Sequence, residues 1–168
     1  MGPLINFEVL RTLEDYIKKN EHTNLTVERV LREVSSPDVR GLLTEEFKNP
    51  TSKEQYDEAL VERGRLIAEY KRYAQDNKVD AWIFPTSKTP SFPLGVDETV
   101  KHLGQEWAVI LLVINNVDPA SVAGLPGITM PCGRAKDSGV PFGIEIDTLT
   151  GNDERLIEVA RSIEHHLA

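Results

Sequence analysis

Three apolar runs in the later part of the chain, each closed by proline or glycine, constrain its fold more than any other feature. They are Asp80-Ala-Trp-Ile-Phe-Pro-Thr86, Ala123-Gly-Leu-Pro-Gly-Ile-Thr-Met-Pro-Cys-Gly133 and Gly139-Val-Pro-Phe-Gly-Ile-Glu-Ile146. Short runs of this kind, too brief for helices and stopped by residues that break ladders, are the pattern of buried strands ending at a rim. Ala81 to Phe84, Gly127 to Cys132 and Phe142 to Asp147 are therefore expected as strands, the last two joined by the polar turn Arg134-Ala-Lys-Asp-Ser-Gly139. Pro85, Pro90 and Pro93 make the stretch after the first strand a loop with no role in a ladder.

The first half reads as helices. Phe7, Leu10, Leu13 and Ile17 recur at helical spacing, and so do Val27, Val30, Leu31 and Val34 behind the candidate cap Thr26. Ser36-Pro37-Asp38 places a cap, a proline at the first helical position and an acid in the first turn. That helix is expected to turn Val39, Leu42, Leu43 and Phe47 inward. A longer helix follows from about Ser52 to Asp76, with Tyr56, Ala59, Leu60, Arg63, Leu66, Ile67, Tyr70 and Tyr73 on one side. Its cations Arg65, Lys71 and Arg72 thicken toward the negative end of the helix dipole. Trp107, Ile110, Leu111 and Ile114 fit a helix, although their β-branched content keeps a strand open. Gly151-Asn152 opens a last helix whose inner stripe is Leu156, Ile157, Ala160, Ile163 and Leu167. No repeat, low-complexity tract or linker interrupts the 168 residues. The expectation is one domain over 1–168, helical to residue 78 and mixed strand and helix over 79–168, of α/β class, or α+β taken by itself.

Composition narrows the function. A formal charge of −8 leaves no basic surface for phosphates, so a nucleic-acid partner is not expected. The apolar run Ala108 to Ile114 falls far short of the roughly 20 residues that span a bilayer, and nothing at the start has signal-peptide layout. A single cysteine, Cys132, makes no internal disulfide and no metal spacing, and a cytoplasmic location is expected. As a nucleophile Cys132 would need a base or cation nearby. His22, His102, His165 and His166 form no cysteine-hydrolase pattern around it, so it reads as a small strand hydrophobe.

The order of these segments resembles the C-terminal part of the amidase signature enzymes, serine hydrolases that cleave carboxamides. The likeness runs from about Phe7 to Leu167 and begins with the helical lead-in Phe7-Glu-Val-Leu-Arg-Thr-Leu13. Three segments are closer to one subset, the indoleacetamide and mandelamide hydrolases. They are Ser35-Ser-Pro-Asp-Val-Arg-Gly-Leu-Leu43, Asn115-Asn-Val-Asp-Pro-Ala-Ser-Val-Ala-Gly-Leu-Pro126 and Gly143-Ile-Glu-Ile-Asp-Thr-Leu-Thr-Gly-Asn-Asp-Glu-Arg-Leu156. The resemblance implies part of an α/β/α fold with a mixed sheet covered by helices. It implies direct acyl transfer through serine to water, with no metal or organic cofactor. The family's Ser-Ser-Lys triad lies N-terminal to the region resembled. These 168 residues hold no Gly-Gly-Ser-Ser-Gly run, no GxSxG and no SxxK, so no catalytic residue is assigned here.

The resemblance also implies which residues wall a substrate pocket. Pro85, Thr86 and Ser87 follow the first strand, where such folds place ligands. Trp107 supplies apolar wall, with Ile110 beside it, and Asn116, Asp118, Ala123 and Gly124 lie near the pocket mouth. Each has a plainer explanation: turn chemistry for the prolines and glycines, core packing for Trp107. Asp80 reads as a strand-start residue. A sheet missing its neighbours exposes edge and apolar face. The expected partners are a small-molecule amide once a triad-bearing chain completes the site, a complementary N-terminal amidase chain, or a second copy. The competing reading is a non-catalytic interaction domain that binds through an exposed sheet edge.

Overall fold

The computed structural model describes residues 2–20, 24–95 and 99–167. The chain forms two compact units, Met1–Arg63 and Gly64–Ala168. His22 and the side chain of Leu167 lie outside the described residues.

The first unit is helical: α1 (Gly2–Lys19), α2 (Val27–Glu33), α3 (Pro37–Lys48) and the beginning of α4 (Lys53–Asn77). Thr26 caps α2 as its sequence predicts, its hydroxyl accepting from the Arg29 amide at 3.2 Å. Replacing Thr26 by alanine is expected to lower stability by about 1 kcal/mol, read as a shift in the urea midpoint. Ser36 occupies the N-cap of α3 with Pro37 behind it, yet its hydroxyl makes no cap bond. It donates instead to Asp38, whose carboxylate accepts from the Val39 amide at 2.9 Å.

The inward face predicted for α3 is corrected. Leu43 and Glu46 are buried, whereas Val39, Leu42 and Phe47 stay about half exposed. Within this unit α3 packs against both α1 and α2, and positions 43 and 46, one turn apart, share a face. Glu46 tolerates burial because its carboxylate takes both the Thr51 amide (2.9 Å) and the Thr51 hydroxyl (2.7 Å). Phe7 stacks on Tyr56 at 4.2 Å, and the Tyr56 hydroxyl donates to Glu8.

The second unit holds the sheets. Its strands are β1 (Trp82–Pro85), β2 (Thr99–His102), β3 (Gln105–Ala108), β4 (Gly127–Arg134) and β5 (Pro141–Asp147). Its further helices are α5 (Val109–Ile114), α6 (Asp118–Ala123) and α7 (Asp153–Leu167). The main sheet has the order β1-β5-β4 and is antiparallel throughout, so the chain's last strand lies in the middle. Pro85, expected to have no ladder role, takes the final ladder position opposite Ile144. An edge strand accepts a proline there because the missing N–H can face away from the ladder. Cys132 sits at the register shift between Pro131 and Gly133.

A two-stranded hairpin, β2–β3, turns through Leu103 and Gly104, both at positive φ (50° and 80°). Trp107 is therefore on a strand, and the helix expected to carry it begins only at Val109.

Pairing sorts the main sheet into two faces. Ile128, Met130, Ile144 and Ile146 face α7 and form the core with Leu156 and Ala160, flanked by Val159 and Ile163. Ile157, expected in that stripe, is 54% exposed because it lies about 100° round the helix from Leu156. The opposite face carries three rows across the strands: Trp82, Asp147, Gly127; Phe84, Glu145, Thr129; and Thr86, Gly143, Pro131. On α4 the stripe is thinner than predicted, with Ala74 buried and Leu60 and Tyr73 exposed. Tyr70 meets the edge of Trp82 at 5.2 Å. The cations of α4 stop short of its last turn, where Arg72 pairs with Glu69 and Asp76.

Candidate functional site

Where β1 leaves the sheet and β5 enters it, the second unit opens a cleft of about 290 Å³. One wall is the run from Pro85 through Thr86, Ser87, Lys88, Thr89 and Pro90 to Ser91; the other is Pro141, Phe142 and Gly143. The two walls are tied by the Thr86 amide, which donates to the Gly143 carbonyl at 3.2 Å. Gly143 has to be glycine. A Cβ there would stand 2.8 Å from Thr129 Cγ2, 3.0 Å from the Met130 carbonyl oxygen and 3.4 Å from Thr86 Oγ1. The chain segments approach so closely at this point that no side chain fits.

The cleft holds an imbalance of polar groups. The hydroxyls of Thr86 and Thr89 are both buried and, among the described residues, find no hydrogen-bond partner. A buried hydroxyl left unpaired costs about 1–3 kcal/mol, and both belong to residues of the cleft wall, although each oxygen is itself covered. The Ser87 hydroxyl accepts from the Thr89 amide at 3.4 Å and holds the loop in its turn.

Several predicted site residues converge here. Pro85, Thr86 and Ser87 line the cleft directly. Asn116 supports it from behind, its side-chain amide donating to the Pro85 carbonyl at 2.8 Å. Trp107 reaches it through Lys88, whose ammonium lies 5.4 Å from the indole centroid. Asp118 starts α6, two residues beyond Asn116. Ala123 and Gly124 lie at the other end of the sheet. Ala123 is buried, Gly124 ends α6 in the left-handed conformation, and the Gly124 carbonyl accepts from the Thr150 hydroxyl at 2.9 Å. That end is marked by the Gly127–Asp147 pair, four strand residues or roughly 13 Å from Gly143. The remaining wall residues, Lys88, Thr89, Pro90, Ser91, Pro141, Phe142 and Gly143, were not assigned to the site from the sequence.

A second feature of the same sheet face is a pair of buried carboxylates. Glu145 accepts from the Thr129 hydroxyl, and both Glu145 and Asp147 turn toward Gly127. A Cβ at Gly127 would lie 2.5 Å from Asp147 Oδ1 and 2.9 Å from Glu145 Oε1, so this glycine makes room for both. Burial, with the Glu145 charge beside it, pushes the Asp147 carboxyl up to about 6. Burial and the Asp147 charge together push the Tyr70 hydroxyl upward.

Among the described residues no three His, Cys, Asp or Glu side chains are grouped so that they could hold a metal, and no helix is long and apolar enough to cross a membrane. The Amidase family model matches residues 7–157. The chain belongs to the amidase family. This amidase segment is 33% identical to the indoleacetamide hydrolase of Agrobacterium vitis over 164 residues, covering 96% of this chain and 35% of that protein. It is 31% identical to the mandelamide hydrolase of Pseudomonas putida, covering 96% of this chain and 33% of that one. A crystal structure of an amidase superposes with a TM-score of 0.76 at 26% identity, over 99% of this chain and 34% of the other. The amidase segment thus spans about a third of the length of the relatives it matches.

Proposed function

We propose that the segment supplies one wall of the substrate pocket of a carboxamide hydrolase, and that breaking the carbon–nitrogen bond requires the Ser-Ser-Lys segment of an amidase in addition to these residues. The observation that carries this reading is the cleft tied together at Gly143, in whose wall the covered Thr86 and Thr89 hydroxyls need only turn outward to meet a ligand. A carboxamide offers both an acceptor oxygen and donor hydrogens, and a hydroxyl can answer either. Pro85 and Phe142 give the same cleft apolar surface for the rest of the substrate. In this reading the segment binds and orients, Asn116 fixes the loop that bears the hydroxyls, and the serine and lysine come from elsewhere in the amidase fold.

The test is ammonia release from indole-3-acetamide and from a panel of aryl amides. The purified segment alone is expected to release none. Joined to the remaining two-thirds of the Agrobacterium vitis relative, it is expected to turn over, and Thr86→Val should lower kcat/KM about 10- to 100-fold. In the segment alone Thr86→Val should leave stability level or slightly raised, since it removes an unpaired polar atom without changing shape. Turnover by the isolated segment, or a completed enzyme indifferent to Thr86→Val, would reject the reading. If isolated turnover vanished with Cys132→Ala, the thiol would be the nucleophile.

A second reading is favoured by one observation: among the described residues β1 and β4 are both sheet edges. An eight-residue edge such as β4 can pair with another strand, which would make the segment a binding module.

A further inference from the structure

Helix α5 has the sequence Val-Ile-Leu-Leu-Val-Ile, apolar on every side. A helix without a polar face is normally enclosed within a larger protein or a membrane. In the second unit one side of α5 is enclosed, with Leu112 fully buried. Val109 and Ile114 are partly covered, and three residues are open: Ile110 is 48% exposed, Leu111 50% and Val113 37%. Six residues are too few to cross a bilayer, so the open side calls for a protein surface.

We propose that the exposed side of α5, centred on Ile110 and Leu111, is the surface on which the rest of an amidase fold docks, namely the two-thirds of an amidase chain that these residues do not match. The inference rests on the hydrolase reading above and adds to it where the two parts meet. Two observations choose this occupant. The solved amidase superposes over 99% of this chain yet only 34% of its own, so a fold of this kind carries twice as much further protein. A second copy of this chain is the weaker fit, because each carries a formal charge of −8 and self-association would bring two such charges together.

The experiment compares this chain alone with a chimera, the Agrobacterium vitis indoleacetamide hydrolase whose matched 35% is exchanged for these residues. Both carry Cys132→Ser and Leu111→Cys, and the rate of maleimide labelling is measured. The chain alone is expected to label fast and independently of concentration. The chimera should label at least about tenfold more slowly. As a second measurement, without the cysteine, Leu111→Glu should leave the melting midpoint of the chain alone unchanged and lower that of the chimera by several degrees.

Equal labelling rates, including those of a chimera that fails to fold, would overturn the proposal. So would protection that grows with concentration in the chain alone, since that identifies a second copy as the occupant. Ammonia release separates this inference from the one beneath it. Protection at position 111 without hydrolysis rejects the amide pocket and keeps the docking face. Hydrolysis with position 111 unprotected does the reverse.

Discussion

Ile146→Ala is expected to lower the free energy of unfolding by about 2–5 kcal/mol, a large part of what a single domain possesses. Ile146 is fully buried on the central strand, between Ile83 and Ile128 on the neighbouring strands and within the cluster of Met130, Leu156 and Ala160. Removing its three outer carbons takes away packing on both sides, and the strand cannot move inward without breaking two ladders. Ile157→Ala serves as the contrast, since that side chain is 54% exposed and the change should stay within about 0.5 kcal/mol. Urea unfolding followed by circular dichroism decides the matter. Similar losses from both substitutions would mean that the core lies elsewhere.

The second large effect concerns charge. Asp147 is 3% exposed and its carboxyl is raised to about 6 from an ordinary 3.8. The folded state therefore holds that proton more tightly than the unfolded state does. Its contribution is fully present below about pH 4, is lost as pH rises through about 6, and leaves a constant penalty of about 3 kcal/mol above that. Asp147→Asn keeps the shape and removes the charge, and its amide can donate toward Glu145. The variant should be more stable than the parent by about 1–2 kcal/mol at pH 8 and nearly equal to it at pH 4. Thermal midpoints at the two pH values test this. Parallel profiles for the two proteins would show that Asp147 is not the group responsible. The lowered carboxyls of Glu28, Asp38 and Glu69 act in the opposite sense, because acid removes the hydrogen bonds that favour their charged forms.

What the sequence made legible was what short stretches decide. Thr26 and the polar turn after Arg134 need only their neighbours, and both appear where expected. The segment from Trp107 to Ile114 defeated periodicity because a strand and a helix follow one another inside a single apolar run. The cleft was half legible. Pro85, Thr86 and Ser87 follow a strand end, but Phe142 and Gly143 join them only through antiparallel pairing, which no local pattern encodes. Glu145 and Asp147 alternate with isoleucines, the usual sign of a solvent-facing side. Here that side is buried, and Gly127 leaves the space for both carboxylates.

The placing of β5 between β1 and β4 has a consequence for how the chain is born. Pairing on the main sheet cannot begin until the strand from Pro141 to Asp147 has been made, long after Pro85 has left the ribosome. At about 5–20 residues per second, β1 waits for seconds with its hydrogen-bonding groups unanswered, whereas β4 is followed closely by its partner. Distant pairing of this kind folds slowly. A nascent chain stalled before residue 141 would be open to chaperones and prone to aggregate, and release of a few more residues would close the sheet in one step.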